Sequence, residues 1–304
     1  MINLKILCIG HSSYDITAPI AQYPTENTKN RIENCLYAGG GPAANAAYLL
    51  GKWGMDTTFV GIVGYDSFGT NIKAELKAVN VDTEFLEINY EEKTSTSFIL
   101  VNEQNGSRTV FNCANTHPQI KKFKFDINPD IILVDGHQYE ASKWALTRWP
   151  NAIGIIDAGR VTKELLDLCK YVKYLVCSKE FAETATGMKF DYNNPKTIAN
   201  LYLNLQDKYK NANIVVTLED KGALYAHDKV IKILPSIPKS VVKDTTGAGD
   251  IFHGAFTYAI ANGYDIEKTI KLSNITAGLS IEKLGARLSI PDLAEVLDYY
   301  EKHQ

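Results

Sequence analysis

Apolar runs long enough to cross a bilayer, about 18 residues, are missing from this 304-residue chain. A basic excess is missing too. Against 35 Asp+Glu stand only 32 Lys+Arg, a formal net charge of −3, so neither nucleic acid nor a membrane surface is an expected partner. The N-terminus lacks the parts of a secretory leader: Lys5 interrupts Leu4–Ile9, Gly10 and polar residues follow, and no small-residue cleavage site is present. That segment is expected as a first strand of a cytoplasmic protein. The cysteines, Cys8, Cys35, Cys113, Cys169 and Cys177, are odd in number and lack CxxC spacing; they are expected as reduced, mostly buried thiols. His11, His137 and His227 lack metal-ligand spacing, and no Ser/His/Asp nucleophile arrangement is marked. Repeats, low-complexity tracts and linkers are absent, so residues 1–304 are expected as one domain.

What is present is ordinary for a globular chain: 45% hydrophobic and 22% charged residues. Short β-branched runs recur at Lys5–Ile9, Thr57–Val63, Ile131–Asp135, Ile153–Asp157, Tyr174–Cys177 and Ile214–Thr217, with helical periodicity between many of them. Strands apolar throughout, alternating with helices, predict a doubly wound α/β fold whose mostly parallel sheet is covered on both faces. Two regions break this rhythm. Ser12–Ala38 is polar and holds Pro19 and Pro24, and Thr94–Asn112 alternates around Asn105-Gly106, a hairpin signal. Residues 12–38 and 94–112 are expected to form a small β-sheet lid. Three helices, Gly249–Ala261, Ile266–Leu284 and Asp292–Lys302, are expected at the end, with Gly263 and Gly285 as helix stops.

The densest chemistry lies in Asp244-Thr245-Thr246-Gly247-Ala248-Gly249-Asp250, just before a helix. Small residues at a helix N-terminus leave backbone N–H groups free to converge on an anion, and the helix dipole adds positive charge there. Phosphoryl transfer needs such a place, and also a carboxylate to take the acceptor hydroxyl's proton; Asp250 stands where both needs meet. An ordinary helix start, with Thr246 as N-cap and Asp250 complementing the dipole, accounts for each residue singly but not for their density. No Lys-Ser or Lys-Thr follows the glycines, so this is not a Walker A loop.

A second cluster, Gly39-Gly40-Gly41-Pro42-Ala43-Ala44-Asn45, opens another helix. It lets a ligand approach the backbone, and Asn45 offers a donor and an acceptor suited to a sugar hydroxyl. Gly39-x-Gly41-x-x-Ala44 also fits the dinucleotide fingerprint, but it does not follow the first strand directly, and Asp66 reads as part of a turn rather than the expected ribose-binding acid. His253, one turn after Asp250, is read as a packing or hydrogen-bonding residue. Asp157 and Arg160 are either an ordinary loop pair or face the site.

Together these motifs resemble the ribokinase-like (PfkB) family of carbohydrate and nucleoside kinases, over nearly the whole chain. Gly61-Ile62-Val63-Gly64-Tyr65-Asp66-Ser67-Phe68-Gly69 matches the family's G-x-V-G-x-D-x-x-G block, and Val216–Gly222 its late strand-turn near ATP. The resemblance implies an ATP-dependent transfer of the γ-phosphate to a primary hydroxyl of a small sugar. Asp250 would be the catalytic base, and Gly247, Ala248 and Gly249 the anion hole. Asp15, Gly40, Gly41 and Asn45 would hold the acceptor, and Ser178, Thr217, Gly222 and Asn274 would line the nucleotide side. Asp244, Thr246, Gly285 and Ser289 would hold a monovalent cation, with Mg²⁺ arriving on ATP and K⁺ as the expected monovalent ion. It also leaves room for a homodimer joined through the lid. The family's Asn-x-x-Glu aligns with Ser178-Lys179-Glu180-Phe181, which lacks the glutamate at its place, and Glu219 replaces a common glycine; ketohexokinases are similarly loose at both places.

Within the family, Tyr23-Pro24-Thr25-Glu26, Lys29, the triple glycine, Ile251-Phe252-His253-Gly254 and Arg287–Asp292 resemble bacterial sulfofructose kinases. Lys29 and Asn112 then match positions around the sulfonate. An arginine of that group would fall near Gly136-His137, where there is none, so a neutral or weakly anionic ketose is the expected acceptor. The rival expectations are a nucleoside kinase, with Tyr14, Tyr23 and Phe98 available for stacking, and a sugar- or nucleotide-binding regulator without turnover.

Overall fold

The computed structural model describes residues 4–113, 118–121, 123, 125–238 and 241–303. The apolar runs become the parallel strands β1 (Lys5–Ile9), β4 (Asp56–Gly64), β5 (Leu86–Asn89), β8 (Ile131–Val134), β9 (Ile153–Ala158), β10 (Tyr174–Ser178) and β11 (Asn213–Thr217). Antiparallel β12 (Ala223–His227) and β13 (Val230–Leu234) complete a nine-stranded sheet, in the order β13-β12-β11-β10-β9-β8-β1-β4-β5.

Successive side chains on a strand face opposite ways, so apolar strands feed two cores. Ile6 and Cys8 enter one and Leu7 and Ile9 the other, all fully buried. Helices α1 (Pro42–Lys52), α2 (Ser67–Ala78), α7 (Ala248–Ala261), α8 (Ile266–Ser280) and α9 (Leu293–Lys302) cover the first face. The second is covered by α3 (Tyr139–Arg148), α4 (Lys163–Leu168), α5 (Lys179–Thr186) and α6 (Pro195–Lys208). This is the doubly wound arrangement expected. Among the described residues no helix is long and apolar enough to cross a membrane. Cys8, Cys169 and Cys177 are buried, whereas Cys113 is exposed and Cys35 half-buried.

The two irregular regions supply the strands of a second sheet. Here β2 (Ser13–Ile20) pairs in parallel with β6 (Thr96–Asn102), while β3 (Leu36–Gly40) and β7 (Arg108–Cys113) flank them antiparallel. Asp66 clasps this sheet to the main one. Its carboxylate caps α2 at Gly69 N (2.8 Å) and accepts from Thr94 N (2.8 Å) and Thr94 Oγ1 (2.7 Å), at the entry to β6. Gly64 permits the contact, because a Cβ there would lie 2.4 Å from Thr94 N.

Helix α8 ends at Ser280, short of the expected Leu284. The Ile281 carbonyl, which would accept from Gly285 N in a longer helix, accepts instead from Lys243 N (2.8 Å) and Asp244 N (3.2 Å). Gly285 N donates to Asp244 Oδ2 (2.8 Å). A tertiary contact with the Lys243–Asp244 segment has overridden local propensity.

Candidate active site

Polar residues gather at the C-terminal ends of the parallel strands: His11 after β1, Asp135 after β8, Asp157 near the end of β9, Ser178 on β10 and Thr217 on β11. In open α/β sheets this edge is where ligands bind.

The Asp244–Asp250 loop closes the site from the α7 side. Gly247, not Thr246, is the N-cap of α7 and holds φ 73°. A Cβ at Gly247 would meet the Ala286 Cβ at 2.5 Å, while one at Gly249 would meet nothing within 4 Å. The loop is therefore packed at Gly247 and open at Gly249, in the first turn of α7. Asp244 braces it by accepting from Thr246 N and Gly285 N, each at 2.8 Å. Thr246 Oγ1 is buried with no hydrogen-bond partner, and Ser289 Oγ donates to Ala286 O (2.9 Å). The tip of the β6–β7 hairpin rests on the same loop: Arg108 donates to Thr245 Oγ1 (2.7 Å), and Thr245 N donates to Gly106 O (3.2 Å).

Asp250 lies in the first turn of α7 and accepts from Asn45 Nδ2 at 2.8 Å. Burial raises its pKa first and the Asp157 charge second; Asn45 and His253 oppose them, and the outcome is a carboxyl near 7. Such a group exchanges a proton near neutrality, as a general base must.

Asp15 and the glycines meet across from it. A Cβ at Gly40 would lie 2.1 Å from Asp15 Oδ2, and one at Gly41 (φ 98°) would lie 2.4 Å from His11 O. Burial raises the Asp15 pKa, opposed by hydrogen bonds from Ser13 and Ser97. Gly39 has a different reason to be glycine: its Cβ would fall 1.9 Å from Arg287 Nη1. Arg287 is buried, paired with Glu75 (2.8 Å), and donates to Asn45 Oδ1 (3.4 Å). Asn45 thus bridges Arg287 and Asp250.

A cavity of about 330 Å³ opens between the small sheet and the main sheet, walled by His11, Phe68, Lys93, Phe98 and His137 among others. Asp15, Asn45 and Asp250 are not among its walls; it adjoins them through His11 and His137, whose rings stack at 4.9 Å. Burial pushes Asp135 up, but His137 and backbone N–H donors outweigh it and hold the carboxyl at about 2. His137 rises in turn to about 9, chiefly through the Asp135 charge. Lys29 and Asn112 are both exposed, Lys29 between β2 and β3 and Asn112 on β7 opposite Ser97; neither lines the cavity, though Cys113 does.

On the β10–β11 side, Ser178 Oγ donates to Gly159 O (2.7 Å) and accepts from Phe181 N (3.0 Å), capping α5. Thr217 Oγ1 donates to Cys177 O (3.3 Å), and Asn274 Nδ2 donates to Leu234 O (3.3 Å) and Pro235 O (3.2 Å). Gly222 has φ 96°, and its Cβ would strike Leu234 O at 2.0 Å. Glu219, where the resemblance expects glycine, holds φ 56°, the left-handed region that favours glycine.

Sequence reasoning gave no role to Asp135 and left Asp157 open. Asp135 organises the edge, accepting from His11 N (2.8 Å), Ala43 N (3.1 Å) and His137 N (3.0 Å). The available signal was position: each aspartate stands at the C-terminal end of an apolar strand.

Comparison with known proteins agrees with this geometry. The model of the pfkB family of carbohydrate kinases matches residues 3–293. A nucleoside kinase of Methanocaldococcus jannaschii is 28% identical over 310 residues, covering 99% of this chain and 98% of that protein. A ribokinase of Staphylococcus aureus is 27% identical over 310 residues, covering 96% and 98%. The solved ribokinase of Arabidopsis thaliana, complexed with ribose and ATP, superposes with a TM-score of 0.80 at 23% identity, covering 98% of each chain. The chain belongs to the pfkB family of carbohydrate kinases, ATP-dependent phosphotransferases that act on an alcohol oxygen.

Proposed function

We propose that the protein transfers the γ-phosphate of ATP to a primary hydroxyl of a small sugar, with Asp250 as general base. The observation that carries this reading is the carboxyl raised to about 7 in the first turn of α7, bonded to Asn45 Nδ2 at 2.8 Å and one residue past Gly249, where a Cβ would meet nothing within 4 Å. Asp250 takes the hydroxyl proton as the oxygen attacks. The amides of Gly247, Ala248 and Gly249 stabilise charge on the transferring group. Asp15 and the backbone at Gly40 and Gly41 hold the acceptor, while Asn45 orients Asp250. ATP brings Mg²⁺ to the site, and Ser178, Thr217, Gly222 and Asn274 shape the nucleotide side. The decisive experiment is a coupled ATP-turnover screen over ketoses, aldoses, sugar acids, sugar phosphates and nucleosides.

The unpartnered, buried Thr246 Oγ1 fits a monovalent cation held with the carbonyls around Asp244 and the Gly285–Ser289 turn. Such an ion would brace the amide-bearing loop. Activity is expected to rise in K⁺ over Na⁺ or a large organic cation; equal rates at constant ionic strength would count against the site.

The acceptor's far end is assigned to the cavity, where the cationic His137 edge offers a hydrogen bond to a polar or anionic group. A charge-assisted bond is worth about 1.5–3 kcal/mol, roughly ten- to hundredfold in affinity. His137→Ala is expected to raise the acceptor KM by that factor while the ATP KM holds. A rise on Lys29→Ala instead would assign that end to the segment bearing Lys29, with Asn112 as its neighbour. A nucleoside acceptor is the second reading, favoured by Phe68, Phe98 and the stacked His11–His137 pair on the cavity walls; the nucleoside arm of the screen decides it.

A further inference from the structure

His253 is buried to 3% exposure, and each ring nitrogen faces a backbone carbonyl oxygen, which only accepts. Nδ1 lies 2.6 Å from the Gly249 carbonyl oxygen and 3.2 Å from Asp157 Oδ2, and Nε2 lies 3.1 Å from the Val176 carbonyl oxygen. A neutral imidazole has one N–H and one lone pair. A neutral ring here would therefore aim a lone pair at a carbonyl in a site closed to water, which is unfavourable. Protonation on both nitrogens satisfies every contact; Asp157 is the facing carboxyl, whose pKa burial raises and the His253 charge lowers, so that each charge of the pair depends on the other.

The ring joins α7, through Gly249, to β9, through Asp157, and β10, through Val176. The Gly249 carbonyl shares its rigid peptide plane with the Asp250 amide. Holding that oxygen therefore holds the start of the residue that carries the base.

We propose that the Asp157–His253 ion pair is a positioning device for phosphoryl transfer, fixing the Gly249–Asp250 peptide plane and balancing the charge around Asp250. The proposal rests on the role given to Asp250 above. Both residues act through Asp250 and its loop, not on the substrate.

Several charged groups face Asp250. Asp157 from β9 and Asp15 from β2 raise its pKa, and His253 on its own helix lowers it; Asn45 from α1 donates a hydrogen bond. Behind Asp157 stand Asp135 and His137, at the end of β8. Removing one member of the pair therefore has a signed effect. Asp157→Asn is expected to move the acid limb of the kcat–pH profile down by about one unit. His253→Gln is expected to move it up by a similar amount, and the double variant to return near the wild-type limb with a lower plateau. Lost kcat with stationary limbs, or limbs moving the same way, would overturn the proposal.

A second measurement does not depend on variants folding or on Asp250 being the base. In wild-type protein labelled with ¹⁵N-histidine, both His253 nitrogens are expected to show imidazolium-type shifts at neutral pH. A lone-pair nitrogen at His253 would refute the ion pair, whereas failure of Asp250→Asn to lose activity would refute only the reading beneath it.

Discussion

Asp250→Asn is expected to lower kcat by about 10²–10⁴-fold, the usual worth of a general base, with acceptor affinity changed far less. Asparagine keeps the shape and can still accept from Asn45 Nδ2, which now bonds the carboxylate at 2.8 Å. In the wild type, kcat is expected to rise with pH through about 7, because the base must lose its proton first. The same shift has a stability consequence of definite sign. The folded protein holds the Asp250 proton more tightly than the unfolded chain, whose carboxyl titrates near 3.8. The residue's stabilising contribution is thus present at low pH and lost as pH rises from 3.8 to about 7. At pH 8 the Asn variant is therefore expected to melt at the same or a higher temperature. A variant keeping more than about a tenth of wild-type kcat would end the assignment, since a base is worth at least tenfold more than that loss. Lost activity with a lowered Tm would point to misfolding instead.

Glu75→Ala is expected to destabilise the fold by about 3–5 kcal/mol, the cost of stranding a buried charge, and by more than Arg287→Met. The asymmetry follows from unequal burial. The Arg287 side chain is 1% exposed and its Nη2 has no partner, whereas Glu75 is 29% exposed. Without Glu75 the guanidinium loses its ion-pair partner in a dry site and keeps only the long bond to Asn45 and the more distant Asp15 charge. Without Arg287 the carboxylate turns to water and still accepts from Gly39 N (2.9 Å). Urea unfolding of both variants tests the order; an equal or reversed order would mean that Glu75 is not the principal counter-charge. Because Arg287 also donates to Asn45, both variants are expected to lose activity through the acceptor side.

Much of the fold was legible because burial on both faces of a parallel sheet leaves a plain trace: short, wholly apolar runs such as Ile131–Val134 with helices between them. The hairpin around Asn105-Gly106 was legible through turn chemistry. The end of α8 was not, since the groups that capture the Ile281 carbonyl come from Lys243 and Asp244, far away in sequence. Local propensity carries no information about a partner that only folding brings near.

The chain by itself determined the family and the α/β class, and it singled out Asp250 as the candidate base, because there a helix N-terminus, small residues and a carboxylate are contiguous. Tertiary structure alone decided what surrounds them. Gly39, Gly40 and Gly41 read alike in sequence, yet one makes room for Arg287, one for Asp15 and one for the His11 backbone. Asp135, Asp157 and His253 come from separate segments, and their charges acquire meaning only at the distances the sheet sets. Electrostatic coupling depends on separation and burial, and neither is written in the order of residues.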